Sequence, residues 1–217
     1  MPHREKTYTR NEEIANSITH GLGTLLSIAG LVLLIVFAAR RGEAWHVVSV
    51  SIFGASMVLL YAISTLYHGF PWPRVKNLFR KLDHAAIYFL IAGSYTPFVL
   101  VNLRGPWGWT LFGLAWGLAI LGILFEVLLK HPPKWLSLGF YLGLSWLIII
   151  AIKPIFESVP VDSLIFLGIG GIAYTLGTVF YAWKKLPYHH AIWHIFVIAG
   201  TTMHFFSIFY GVIPQLS

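Results

Sequence analysis

Seven long apolar stretches, separated by short polar ones, account for nearly the whole chain. Runs of about 20 mostly apolar residues fall at about 18–39, 45–67, 82–102, 107–129, 135–153, 161–183 and 191–213. Coiled as helices, such runs are long enough to cross about 30 Å of hydrocarbon. The pattern predicts an all-α, polytopic membrane protein, a bundle of seven transmembrane helices forming one domain over residues 1–217. The turns carry matching signals: Pro71-Trp72-Pro73, Gly105-Pro106 and Pro132-Pro133 each fall between spans. Trp45, Trp72, Trp107, Trp109, Trp135 and Trp183 sit near span ends, where an interfacial aromatic belt would place them. Gly113 and Gly117 form a GxxxG pair in span four, and Gly168, Gly170, Gly171 and Gly177 populate span six. Small residues there are expected to let helices approach closely.

Composition agrees with the pattern. The chain is 57% hydrophobic and 11% charged, against roughly 25% charged in soluble domains. Its net charge of +7 does not point to nucleic acid, because the basic residues lie in short turns rather than on one face or tail. Their bias is topological. Arg4, Lys6, Arg10, Arg74, Lys76, Arg80, Lys81, Lys130, Lys134, Lys184 and Lys185 fall on one side, and Arg40, Arg41, Arg104 and Lys153 on the other. The positive-inside rule then puts the amino terminus in the cytoplasm and the carboxyl terminus outside. There is no cysteine, so thiolate ligands, disulfides and cysteine nucleophiles are excluded.

Against this map, ionisable groups near span ends stand out, because they are expensive in hydrocarbon. Span two ends with Ser64-x-x-x-His68, span three opens with Asp83, and span seven opens with His190-x-x-x-His194. Span parity brings all of them to one leaflet. His190 and His194, at i and i+4, share a helix face and could hold one metal ion. Three neutral imidazoles and a water describe a catalytic Zn2+ site with an open position. Asp83, bonded to that water, would serve as general base, and the Ser64 hydroxyl would stabilise an oxyanion. Asp83 also reads as a helix-start carboxylate favoured by the dipole, and Ser64 as a back-bonded helical serine. Glu13, Asn16 and His20 share a face of span one at the same end. They would either orient the metal ligands from behind or merely cap the helix. Glu126 and Lys130 read as an i, i+4 pair at a helix end. His84 and His189 are turned about 100° from their neighbours and stay outside the ligand set. His204, about 15 Å deeper than His194, is too far to share the ion and is expected to be hydrogen-bonded within the bundle.

Taken together, Glu13-x-x-Asn16-x-x-Thr19-His20, Ser64-x-x-x-His68, the aromatic-rich helix from Asp83 to Phe89, and His190-x-x-x-His194 resemble the haemolysin-III family. That family is the bacterial branch of the progestin and adiponectin receptor (PAQR) family. The resemblance covers essentially the whole chain, with the motifs in order and on the right spans. It implies a seven-helix fold with zinc held by His68, His190 and His194, and Asp83 in contact with the zinc-bound water. It also implies kinship with alkaline ceramidases, which hydrolyse lipid amides. The resulting expectation is a zinc-dependent hydrolase acting on lipid amide or ester bonds near the cytoplasmic leaflet of a bacterial inner (plasma) membrane. A membrane lipid would then be substrate or ligand, with no role for nucleic acid. The alternatives are a non-enzymatic sensor or receptor-like protein with structural zinc, and a cytolysin as the family name suggests.

Overall fold

The computed structural model describes residues 8–129 and 133–215. Arg4, Lys6, Lys130 and Pro132, which entered the reading above, lie outside the described residues. Helix follows helix: α1 (Arg10–Arg41), α2 (Ala44–Gly69), α3 (Pro73–Pro97), α4 (Pro106–Leu128), α5 (Lys134–Ser145), α6 (Ile152–Ser158), α7 (Val161–Ala182) and α8 (His189–Gly211). A 3₁₀ turn, Leu147–Ala151, joins α5 to α6, so the two make one crossing. Among the described residues, seven helical spans are long and apolar enough to cross a membrane. The protein is an integral membrane protein.

The spans differ in how much of themselves they bury. Span three, Pro73–Asn102, buries 67% of its most apolar stretch, against 17% for α7, so α3 is the central helix of the bundle. The remaining apolar surface, such as Leu22, Leu25, Ile165 and Leu176, is exposed around the outside, as a lipid-facing surface requires. Neighbours in sequence pack together from α1 to α4, α7 packs on α8, and α8 returns to α1. By contrast α5 and α7 barely touch. The bundle is therefore loose between its fifth and sixth crossings.

Two local features depart from the hydrophobic pattern. Pro97 lies within span three and has no N–H to donate, and directly after it the backbone widens into a π turn, Phe98–Asn102, closed by Leu103 N–H donating to the Phe98 carbonyl. The turn carries Asn102 to the bundle's far end, where its Nδ2 donates to the Gly211 carbonyl at 2.8 Å and to the Ser158 carbonyl at 3.3 Å. Second, the expected close packing at Gly113 and Gly117 is not made: a methyl group on either would meet nothing within 4 Å. The packed stripe of α4 is instead Gly108, Leu111, Ala115, Ala119 and Gly122. Spacing identified small residues on one face but not which face met a neighbour. In span six the expectation divides. Gly170 and Gly177 lie against side chains of α8, whereas Gly168 faces open space.

Candidate metal centre

His68 occupies the last turn of α2, which Phe70 and the following prolines end, and His190 and His194 occupy the first two turns of α8. The start of α8 is held in place. Tyr188 takes a left-handed conformation, φ 54°, and its N–H points to Glu12 Oε1 at 3.3 Å. Glu12 Oε2 accepts the Thr9 backbone N–H at 2.8 Å and its hydroxyl at 3.0 Å, completing the capping box of α1. One carboxylate thus fastens the starts of α1 and α8 together. A non-glycine residue in this backbone region persists only where its surroundings hold it there.

The three imidazoles converge. One nitrogen from each of His68, His190 and His194 lies within 4.8 Å of the other two, and all three rings are buried. Small side-chain adjustments would bring that triangle to the roughly 2.0–2.1 Å nitrogen–zinc distance. Unsatisfied atoms supply the test of fit. His68 Nε2 and both nitrogens of His190 are buried and meet no hydrogen-bond partner among the described residues. Buried polar atoms are normally paired, so donors left bare in a tight cluster match a cation that they could share.

The other ring nitrogens explain the aim of the ligands. His68 Nδ1 lies 2.6 Å from Glu13 Oε2, and the other oxygen of that carboxylate takes Lys76 Nζ at 2.7 Å. An Nδ1–H donated to Glu13 leaves Nε2 bare toward the cluster, the carboxylate–histidine arrangement that orients metal ligands. His194 Nδ1 lies 3.0 Å from Thr19 Oγ1 and 3.2 Å from the Asn16 carbonyl. Thr19 gives its own proton to the carbonyls of Ala15 and Asn16, both at 2.9 Å. His194 Nδ1–H is therefore the donor, and its Nε2 is left available to a metal ion. The Asn16 side chain also lies 3.4 Å from His68 Nδ1. Capping of α1 falls to Thr9 and Glu12, so Glu13 and Asn16 are free to face the imidazoles.

His20 behaves differently from Glu13 and Asn16. Its ring stacks on His194 with centroids 3.4 Å apart, and both its nitrogens are buried without a partner among the described residues. It touches a ligand by its face rather than by a hydrogen bond.

Asp83 and Ser64 lie beside the cluster and line the same cavity as His190 and His194. Asp83 is ten residues into α3, nearly three turns from its start. A dipole explanation, which fades within the first turn, does not account for it. Ser64 faces the Asp83 carboxylate, and among the described residues its buried hydroxyl forms no well-aligned hydrogen bond back to its own helix. The cavity, about 290 Å³, runs from these residues between α3, α5, α7 and α8. Its walls are overwhelmingly apolar, and it reaches Trp146 and Phe156 on the outer surface where α5–α6 and α7 stand apart.

Three further residues carried no signal in the apolar map. Tyr8 precedes α1 and stacks on His190 at 5.2 Å, with His68 and His189 each at 5.8 Å. Burial, with a smaller contribution from Tyr67, pushes its phenol well above the usual range, so the group stays neutral. Lys76 enters through Glu13. Glu126, read as one of an i, i+4 pair at a helix end, is buried, with Oε2 3.6 Å from His84 Nδ1 and Oε1 3.5 Å from the Tyr141 hydroxyl.

A seven-span membrane protein with a buried histidine triad able to hold a metal ion is thus what fold and site define. Its residues 8–205 match the family model described as Haemolysin-III related, and the chain belongs to that family. It is 50% identical over 212 residues, 97% of this chain and all of the relative, to the "Hemolysin-3 homolog" of Bacillus subtilis (strain 168). It is 49% identical over 206 residues to "Hemolysin-3" of Bacillus cereus, covering 95% of this chain and 94% of that one. A more distant likeness, 29% over 203 residues, covers 91% of this chain and 83% of the human "Monocyte to macrophage differentiation factor".

Proposed function

We propose that this protein is a zinc-dependent hydrolase of lipid amide or ester bonds. The observation that carries the reading is one cavity that joins the histidine cluster, Asp83 and Ser64 to a long apolar bore reaching the lipid-facing surface. Zinc on His68, His190 and His194 would polarise a carbonyl and ease deprotonation of water there. Asp83 would take the proton of the attacking water on a carboxylate oxygen as the new carbon–oxygen bond forms. It would return that proton to the departing nitrogen or oxygen as the old bond breaks. The Ser64 O–H would donate to the oxyanion. Walls that are overwhelmingly apolar away from Asp83 and the histidines suit an acyl chain entering from the bilayer between α5 and α7. The excess of Lys and Arg on the loops at this end supports a site at the cytoplasmic leaflet, and the Bacillus relatives support a bacterial plasma membrane. The rival reading, a sensor with structural zinc, would use a fourth protein ligand, and Asp83 is not among the gathered donors.

The test uses the full chain purified in detergent, assayed for bound metal and for hydrolysis of a panel of amide- and ester-linked lipids. Asp83→Asn should keep its zinc and lose turnover by about 10²–10⁴-fold, the usual share of a general base. Wild-type turnover in that variant, or no product from fully zinc-loaded wild type, would overturn the proposal. Dye-loaded vesicles in the same experiment test permeabilisation, which the relatives' name Hemolysin-3 raises.

A further inference from the structure

Trp146 falls in the middle of the fifth crossing, Trp135–Ser158, where an interfacial belt does not account for it. It sits where that crossing breaks: α5 ends at Ser145, and the 3₁₀ turn begins at Leu147. The backbone groups freed by the break are met from α3. The Tyr95 hydroxyl lies 3.0 Å from the Leu144 carbonyl and 2.9 Å from that of Ser145, and it accepts the Ile148 N–H at 3.0 Å. Irregular backbone at this depth is tolerated where the protein satisfies it in this way.

The fifth crossing is thus pinned on its α3 side. Toward α7, which α5 barely touches, the gap is spanned by the Trp146 side chain. Its indole N–H donates to Thr175 Oγ1 at 3.2 Å, and Thr175 gives its own proton to the Gly171 carbonyl at 2.8 Å. The far edge of the ring lies over Gly171. A methyl group there would touch Cη2 and Cζ2 of the indole at 3.9 and 4.0 Å and meet nothing else within 4 Å. Trp146, Gly171 and Thr175 all line the cavity, yet Trp146 is 41% exposed. The ring therefore stands at the mouth, between the cavity and the lipid-facing surface.

We propose that Trp146 is a gate. The indole, latched to Thr175, closes the lateral mouth, and an acyl chain passes between bilayer and cavity when the latch releases and the ring swings off Gly171. The hinge is the 3₁₀ break, a common place for one in a helix, while the side tied to α3 stays put. This rests on the reading of the cavity as an acyl-chain site and needs no hydrolysis. A latch made equally in the empty and the filled protein governs rates and leaves affinity alone.

The test follows cis-parinaric acid, an unbranched fluorescent fatty acid, entering and leaving the purified full-length protein. Thr175→Val removes the acceptor while keeping the shape, and Trp146→Phe removes the N–H while keeping a ring. Each should speed uptake and release alike by about threefold to tenfold, the worth of one hydrogen bond between helices in a membrane, with affinity unchanged. Adding Thr175→Val to Trp146→Phe should bring no further gain, because both break the same contact. Trp183→Phe, at a residue that does not line the cavity, should alter neither rate. Rates indifferent to both latch variants would overturn the proposal. So would a change of affinity in place of rate, which would make Trp146 part of the wall. Failure of wild type to take up the acid would overturn the acyl-chain site and the gate together. Hydrolysis with exchange indifferent to the latch would sink the gate alone, and latched exchange in a protein that hydrolyses nothing would sink the hydrolase reading alone.

Discussion

Glu13 and His68, 55 positions apart in sequence, meet through a 2.6 Å contact between Oε2 and Nδ1. The contact joins α1 to α2 and fixes which nitrogen of His68 points at the other two imidazoles. Lys76 on the opposite carboxylate oxygen keeps the charge on Glu13 matched. Glu13→Gln removes that charge while keeping the size of the side chain. Metal affinity should fall by about 10–100-fold, the usual cost of losing such a partner, with the fold intact. Competition with a chelator of known affinity measures it. Unchanged affinity would show that His68 holds its orientation without Glu13.

Tyr8 covers the cluster with its ring rather than its hydroxyl. The ring stacks on His190, and burial pushes the phenol well above its usual range. Tyr8→Phe loaded with zinc should therefore lose the ion to excess chelator at the rate of zinc-loaded wild type, while Tyr8→Ala, which opens the cluster toward water, should lose it several-fold faster. Rapid loss from Tyr8→Phe would mean that the hydroxyl itself holds the ion or its partners.

Much of this architecture was legible because the hydrophobic requirement for a span is long and one-dimensional. Seven apolar runs announced seven helices, and span parity placed His68 beside His190 and His194 over more than a hundred residues of sequence. What was hidden depends on rotation and on loops. Gly113 and Gly117 have the right spacing for packing, but the buried side of α4 is set by its neighbours, and they lie off it. Glu126 reads only as an i, i+4 partner of Lys130, and its place beside His84 and Tyr141 is set by the fold. Tyr8 belongs to no apolar run, and only the fold of the amino-terminal segment lays it over the imidazoles. That both nitrogens of His20 lack a partner among the described residues is likewise invisible in sequence, since it is a property of every neighbour at once.

The glycines of α4 provide a check on the packing that is independent of any ligand. Gly105, at φ 141°, turns the chain sharply after the π segment, so the first turn of α4 is pressed against the end of span three. There Gly108 donates its N–H to the Leu103 carbonyl at 3.0 Å. A methyl group on Gly108 would collide with the Val99 carbonyl oxygen and come within 2.6 Å of that of Leu103. Both obstacles are backbone and cannot swing aside as a side-chain tip would. Gly108→Ala should therefore destabilise the protein by about 1–3 kcal/mol, as overpacking does elsewhere. Gly113→Ala and Gly117→Ala project into open space and gain helix propensity, so they should leave stability unchanged or slightly raised. Thermal unfolding of the three variants in one detergent decides it. Equal losses at all three sites would mean that span four packs on a different face from the one described.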